Sequence, residues 1–302
     1  MNRKNLVLQY FQKKQLLTVT NASYAKHITD LFLWMIQADD VENDMTKSFP
    51  VKTTGTAEII SKQSGIIAGI EEITYLLKHH TKLSCTPHVE DGAQVSKGQI
   101  ILTLTGNSRE LLGFERTLLN ILGRMSGIAT FTHNLHNPSL AATRKTPWML
   151  LDKKAVAIGG GLTHRLSLSD FALIKDTHLA LLKKETLEDV VKKMVAMDLF
   201  FEIEVQTIDE AFVVTKTFEE TRTQLQPLLV MAIMLDNVVP KTAATFVKKI
   251  QKNPVYPYII IEASGEITKK NLPVWEKTGV DVLSMGSLTH SAPTFNFSMT
   301  IV

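Results

Sequence analysis

The chain has 302 residues, 44% hydrophobic and 21% charged, the balance of an ordinary globular protein with a large core, which excludes disordered and fibrous classes. Lys and Arg number 33 against 30 Asp and Glu, a formal charge of +3, too near balance for a protein that wraps nucleic acid, so any anion must be held by a local cluster. Cys85 is the only cysteine, which rules out an intrachain disulfide and a thiolate zinc site and suits a reducing compartment.

At roughly 100 to 200 residues per domain, the length predicts two domains. The first stretch, MNRKNLVLQYFQKKQLL, has its apolar run broken by Gln12 and Lys13 and lacks a signal-peptide core. The longest uncharged apolar run, residues 228–235, falls well short of the ~20 residues of a membrane helix. A soluble, cytoplasmic protein without membrane partners is expected. Residues 54–70 and 83–106 read as short strands, and turns at Asp91-Gly92 and Lys97-Gly98 give residues 88–104 the pattern of hairpins. Residues 108–132 carry Leu111, Leu112, Phe114, Leu118, Leu119, Ile121 and Leu122 at helical spacing, with Arg116 on a different face. Trp34, Trp148 and Trp275 are expected in the core, because no interleaved basic run makes them a base-stacking platform.

From residue 140 the texture changes. Apolar runs at 140–142, 171–174, 199–205, 228–235, 258–261 and 282–285 each contain or end in a polar or small residue, and most lie one βα unit, roughly 25 to 30 residues, apart. Continuous rather than alternating hydrophobicity predicts a parallel sheet buried on both faces, and the count points to an α/β barrel. Polar residues at the carboxyl ends of such strands gather at one mouth. Here they are Arg144, Lys145, Lys175, Glu204, Asp236, Ser264, Gly265 and Gly286. Lys175 ends an apolar run and needs a partner, a ligand phosphate or a carboxylate. Glu204 and Asp236 suit magnesium or ribose hydroxyls, or act as ion-pair partners of Arg144 and Lys175. His164-Arg165 follow the Gly159-Gly160-Gly161 loop, and Ser264-Gly265 and the 286–290 turn offer backbone amides to a phosphate.

With these residues in place, the sequence resembles the quinolinate phosphoribosyltransferase family over nearly its whole length. The motifs are ERTLLNILGRMSGIAT from Glu115, TRKT from Thr143, GGGLTHRLSLSD from Gly159, ALIKDTH from Ala172, EIEV from Glu202, LDN from Leu235, EASG from Glu262 and DVLSMGSLTHS from Asp281. In order along one chain they are far more specific than any one alone.

The resemblance implies an incomplete α/β barrel, residues 128–292, with a smaller N-terminal α/β sandwich domain, residues 1–127, joined by residues 293–302. It implies a homodimer with shared active sites, or a higher oligomer, in which Arg116 reaches across the interface. By motif position Arg116, Arg144, His164 and Arg165 resemble the residues that grip quinolinate. Lys145 and Lys175 resemble those between quinolinate and phosphoribosyl pyrophosphate, and Glu204 and Asp236 those that meet ribose and magnesium. Ser264, Gly265, Gly286 and His290 match the 5-phosphate region. The implied reaction makes nicotinate mononucleotide in NAD biosynthesis, needs Mg2+ and no organic cofactor, and involves no nucleic acid. The rival readings are a related pyrophosphorylase of the molybdenum-transport-associated type and a non-catalytic nucleotide-binding paralogue. The segment after TRKT, PWMLLD, is shorter than the common family form, and Glu266 and Thr177 replace commoner residues.

Overall fold

A parallel sheet buried on both faces needs helices to cover it, and the computed structural model, which describes residues 2–182 and 185–302, alternates the two element types throughout its second half. In chain order the elements begin with α1 (Arg3–Phe11), α2 (Ala22–Ala38), β1 (Thr54–Ser61), β2 (Gly65–Ile66), α3 (Ile70–His80), β3 (Ser84–Pro87), β4 (Gln94–Val95), β5 (Ile100–Asn107) and the long α4 (Ser108–His133). Then come β6 (Leu140–Ala141), α5 (Leu150–Ile158), β7 (Ala172–Ile174), α6 (Asp176–Leu181), α7 (Leu187–Ala196), β8 (Phe201–Val205), α8 (Ile208–Leu225) and β9 (Met231–Asp236). The chain closes with α9 (Pro240–Ile250), β10 (Ile259–Ser264), α10 (Leu272–Trp275), β11 (Val282–Ser284), α11 (Ser287–His290) and β12 (Phe297–Ile301).

Two compact units result. The first comprises the segment up to Lys13, Pro138–Arg144 and Leu162–Ser287. Its six strands run in the order β6-β11-β10-β9-β8-β7, parallel throughout, and Leu162 bridges to Ala141 beyond β6. This is the incomplete α/β barrel. Alternation along β8 sends Phe201 outward to meet Phe218 of α8, with ring centroids 6.2 Å apart, and turns Glu202 and Glu204 to the opposite face. At the amino ends of the strands Val230, Ala232, Ile260 and Val282 pack against Leu6, Val7 and Phe11 of α1. Arg3 fastens that helix: Nε and Nη2 pair with the Asp281 carboxylate, Nη1 donates to the Tyr256 carbonyl at 2.9 Å, and the guanidinium lies 3.9 Å from the Tyr256 ring centroid.

The second unit comprises Lys14–Asn137, Lys145–Gly161 and Leu288–Val302. A four-stranded antiparallel sheet in the order β12-β1-β5-β3 accompanies α2, α3, α4 and α5, the α/β sandwich. The Asn107 side chain caps α4 by accepting from the Arg109 and Glu110 amides, and Asp91 accepts from the Gly69, Ile70 and Glu71 amides to cap α3. Gly127 of α4 touches the returning C-terminal segment so closely that a Cβ would sit 2.1 Å from the Pro293 carbonyl oxygen.

Three sequence expectations change. The turns at Gly92 and Gly98 exist, with φ of +89° and +88°, but β4 pairs with β2 rather than folding back on its chain neighbour β3. The reason is that Asp91 is spent as a helix cap, which draws the turn toward α3. Trp34 is 61% exposed rather than core, since the buried face of α2 is made by Tyr24, Ala25, Ile28, Phe32 and Met35. Trp148 is half-buried rather than core. The first helix buries its apolar face among the parallel strands, and α5 packs on α4.

Phe11 is fully buried in the apolar layer that α1 shares with the strands. Phe11→Ala should therefore cost about 3 to 5 kcal/mol, read as a lower urea midpoint in equilibrium unfolding.

Candidate active site

The carboxyl ends of the parallel strands carry the charge. Lys175 follows β7 directly, and its Nζ donates to Glu204 Oε2 at 2.8 Å; the lysine side chain is 41% exposed and the glutamate 6%. Next along the sheet, Asp236 ends β9 and its Oδ2 accepts from Asn237 Nδ2 at 2.7 Å. Register places Ser264, at the end of β10, directly beside Asp236. The following glycine is obligatory: Gly265 has φ +96°, and a Cβ there would lie 2.2 Å from Asn237 Oδ1. Gly286 follows β11 after Met285, and Glu266, next to Gly265, is exposed.

Across the open side of the barrel, the stretch after the triple glycine folds tightly on itself. Asp170 accepts from the Leu166 amide at 3.0 Å, and Arg165 Nη1 donates to the Phe171 carbonyl at 3.2 Å. Burial and the neighbouring charge of Arg144 both lower the Arg165 pKa. Two cations held close are a physical invitation to an anion with two charges. In the second unit, Lys145 and Arg116 are exposed, Arg116 sitting on α4 with Nη2 3.9 Å from Glu115, and His290 Nδ1 lies 2.6 Å from Ser291 Oγ.

Below the mouth, the barrel interior holds a charged cluster. His164, at φ +54° and 5% exposed, directs Nε2 toward Glu262 Oε2 at 3.1 Å and Glu202 Oε2 at 3.3 Å, both carboxylates being fully buried. Phe11 meets the ring edge-on at 4.9 Å. Burial opposes charge on the imidazole, but Glu262 and Glu202 outweigh it and push the ring up to about 9. The Arg165 amide nevertheless donates to Nδ1 at 2.7 Å, and only a ring bare at that nitrogen can accept it. In its neutral form the ring therefore carries its proton on Nε2, facing the carboxylates.

Glu202 lies beside that ring, and burial followed by the adjacent Glu262 raises its carboxyl to about 7. The three ligand atoms lie within 4.8 Å of one another, close enough for a metal ion, but coordination through Nε2 would force the ring proton onto Nδ1, where the Arg165 amide already points its hydrogen.

Comparison with known proteins fits this architecture. The model of the quinolinate phosphoribosyl transferase C-terminal domain matches residues 128–300, and that of the N-terminal domain matches residues 40–126. The chain belongs to the quinolinate phosphoribosyltransferase family. It is 33% identical over 287 residues to the Methanothermobacter thermautotrophicus protein named "Probable nicotinate-nucleotide pyrophosphorylase (carboxylating)", covering 90% of this chain and 98% of that one. The Mycobacterium leprae nicotinate-nucleotide pyrophosphorylase (carboxylating) is 33% identical over 253 residues, or 80% of this chain and 84% of that protein. Among solved structures, the nicotinate-nucleotide pyrophosphorylase from Francisella tularensis superposes with a TM-score of 0.79 at 27% identity, covering 92% of this chain and 96% of that one.

In this member of the quinolinate phosphoribosyltransferase family, sequence reasoning named Glu204 and Ser264 but passed over Glu202 and Glu262, each two residues earlier on the same strand face. The signal was available: a period of two from any inward residue marks the next inward residue, and a charge in the middle of a buried strand demands a partner. Asn237, which fixes Asp236 and blocks a side chain at position 265, was also missed. His164, expected at the substrate, has both ring nitrogens engaged within the protein.

Nitrogen-15 NMR of histidine-labelled protein at about pH 10, above the raised titration point of the ring, should report His164 as the Nε2–H tautomer, with an unprotonated Nδ1. Two protonated ring nitrogens at that pH would show that the Arg165 amide does not hold the ring as described.

Proposed function

We propose that the protein is a pentosyltransferase: it moves the phosphoribosyl group of phosphoribosyl pyrophosphate onto quinolinate with decarboxylation, giving nicotinate mononucleotide, pyrophosphate and carbon dioxide in NAD biosynthesis. The observation that carries the reading is the family match across both halves of a chain whose parallel strands end in Lys175, Glu204, Asp236 and Ser264.

The chemistry needs this set of residues. Both substrates are polyanions, so bringing them together requires clustered cations that offset their repulsion. Arg144 and Arg165, whose charges act on one another, suit the two carboxylates of quinolinate, and Arg116 is proposed to join them from a second copy in a homodimer or higher oligomer. Lys145 and Lys175 are proposed to meet the acceptor and the pyrophosphate. The Lys175–Glu204 pair is a pre-set exchange: an arriving phosphate takes the ammonium, and the carboxylate is freed toward the ribose hydroxyls and the positive charge that grows at the anomeric carbon.

Ser264, Gly265 and Gly286 suit the 5-phosphate through small side chains and backbone amides, and His290 through its ring. As the C1–pyrophosphate bond breaks, its electron pair leaves with pyrophosphate and the pyridine nitrogen forms the new bond to C1. The resulting pyridinium accepts the electron pair of the 2-carboxylate bond, carbon dioxide departs, and a proton replaces it at that carbon. No organic cofactor is needed, since the ring is its own electron sink.

Glu204 and Asp236, hard oxygen donors at the ends of neighbouring strands, fit a magnesium ion that is held partly by substrate. Bound there, magnesium would neutralise charge on the pyrophosphate leaving group. A cytoplasmic enzyme is the matching address.

The test is to mix the protein with quinolinate, phosphoribosyl pyrophosphate and magnesium and to follow nicotinate mononucleotide by absorbance, with nicotinate as control acceptor. Product from quinolinate alone supports the reading, and product from nicotinate alone overturns it. Lys175→Ala should lower kcat by about 10²-fold or more while leaving thermal unfolding within a few degrees.

A further inference from the structure

Lys145 carries a long, exposed side chain, and such a side chain is aimed best from a fixed backbone. What a protein can fix is the backbone that carries it. In the second unit a closed circuit of hydrogen bonds does so. Thr289 Oγ1, on α11, donates to the Lys145 carbonyl at 2.8 Å. The Thr289 carbonyl accepts in turn from Arg124 Nη2 of α4 at 2.9 Å. Arg124 Nε and Nη2 grip both oxygens of Asp152, at 2.8 and 2.6 Å. Asp152 Oδ2 accepts from the Thr146 hydroxyl, and from the Trp148 amide at 3.4 Å, which brings the circuit back to the residue beside Lys145.

Asp152 and Thr289 are fully buried, so these bonds form away from competing water. The circuit draws on three separate elements, α4, α5 and α11, and its bidentate Arg124–Asp152 pair fixes angle as well as distance. Asp152 is also the last residue of the short PWMLLD segment, so the same carboxylate that tethers Thr146 ends the turn that follows it.

We propose that Arg124, Asp152 and Thr289 are positioning residues that clamp the main chain at Lys145 and thereby aim its ammonium at substrate. The inference rests on the reading of Lys145 as a substrate-binding lysine. Thr289→Val is the informative change, because it keeps the shape of the side chain and deletes only the hydroxyl that holds Lys145, leaving the Arg124–Asp152 pair intact.

Steady-state kinetics on the full chain with quinolinate, phosphoribosyl pyrophosphate and magnesium should show kcat lowered about 10- to 100-fold in Thr289→Val, with a melting temperature within a few degrees of the parent. Thr289→Ser, which retains the hydroxyl, should recover most of the rate. In a Lys145→Ala background, adding Thr289→Val should cost nothing further, since the group it aims is gone. Full activity in Thr289→Val beside a dead Lys145→Ala overturns the clamp but leaves the functional reading standing. Equal, additive losses in the double variant also overturn the clamp. Full activity in Lys145→Ala removes the functional role that the clamp serves. Should Thr289→Val fail to fold, Thr146→Val tests the other side of the same circuit by the same three comparisons.

Discussion

The two-residue period of a buried parallel strand governs what the barrel unit can do. Outward residues must be apolar to meet helices, as Phe201 does with Phe218, so every charge the strand carries is forced onto the inward face. β8 uses that face twice, for Glu202 deep in the barrel and Glu204 toward its mouth, and β10 does the same with Glu262 and Ser264. Charges stacked at two depths live under different rules. Those at the mouth lie in part in solvent, as Lys175 does in its pair with Glu204, whereas those in the interior must satisfy one another.

The interior cluster shows how that is achieved. Two buried carboxyls beside one imidazole would be costly as three separate charges, and the Arg165 amide settles the matter by claiming Nδ1. The left-handed backbone at His164 is held in that strained conformation by a ring tied at both nitrogens and an amide that donates to the Phe11 carbonyl at 2.9 Å. Because Arg165 comes next in the chain and its amide is one of the ties, the cluster fixes where that arginine begins. His164, which reads in the motif as a substrate ligand, has both ring nitrogens engaged within the protein.

The same logic recurs in the sandwich unit with different chemistry. Asp152, buried and gripped by Arg124, fastens the turn after Lys145, as the carboxylate pair fastens the turn before Arg165. In each unit a buried carboxylate helps, directly or through His164, to hold the backbone from which a proposed substrate-binding cation springs, and fixing the root of a long side chain lowers the entropy cost of binding.

Much of this was legible in the sequence. The six apolar runs after residue 140 are the six parallel strands, the helix after residue 108 lies where its spacing put it, and the charged residues at strand ends were named individually. Periodicity and strand ends are local properties, so a linear reading captures them. What the sequence did not yield depends on residues far apart in the chain: His164 with Glu262, 98 positions away, Arg3 with Asp281, 278 positions away, and Thr289 with Lys145, 144 positions away. The turn at Asp91 took its direction from α3, and Trp34 lost its place in the core to the opposite face of its own helix. The sequence by itself determined the element types and the chemistry at the barrel mouth, because hydrophobic spacing and residue type are written along the chain. Tertiary structure alone decided which polar groups become partners, because burial and distance exist only once the chain has folded.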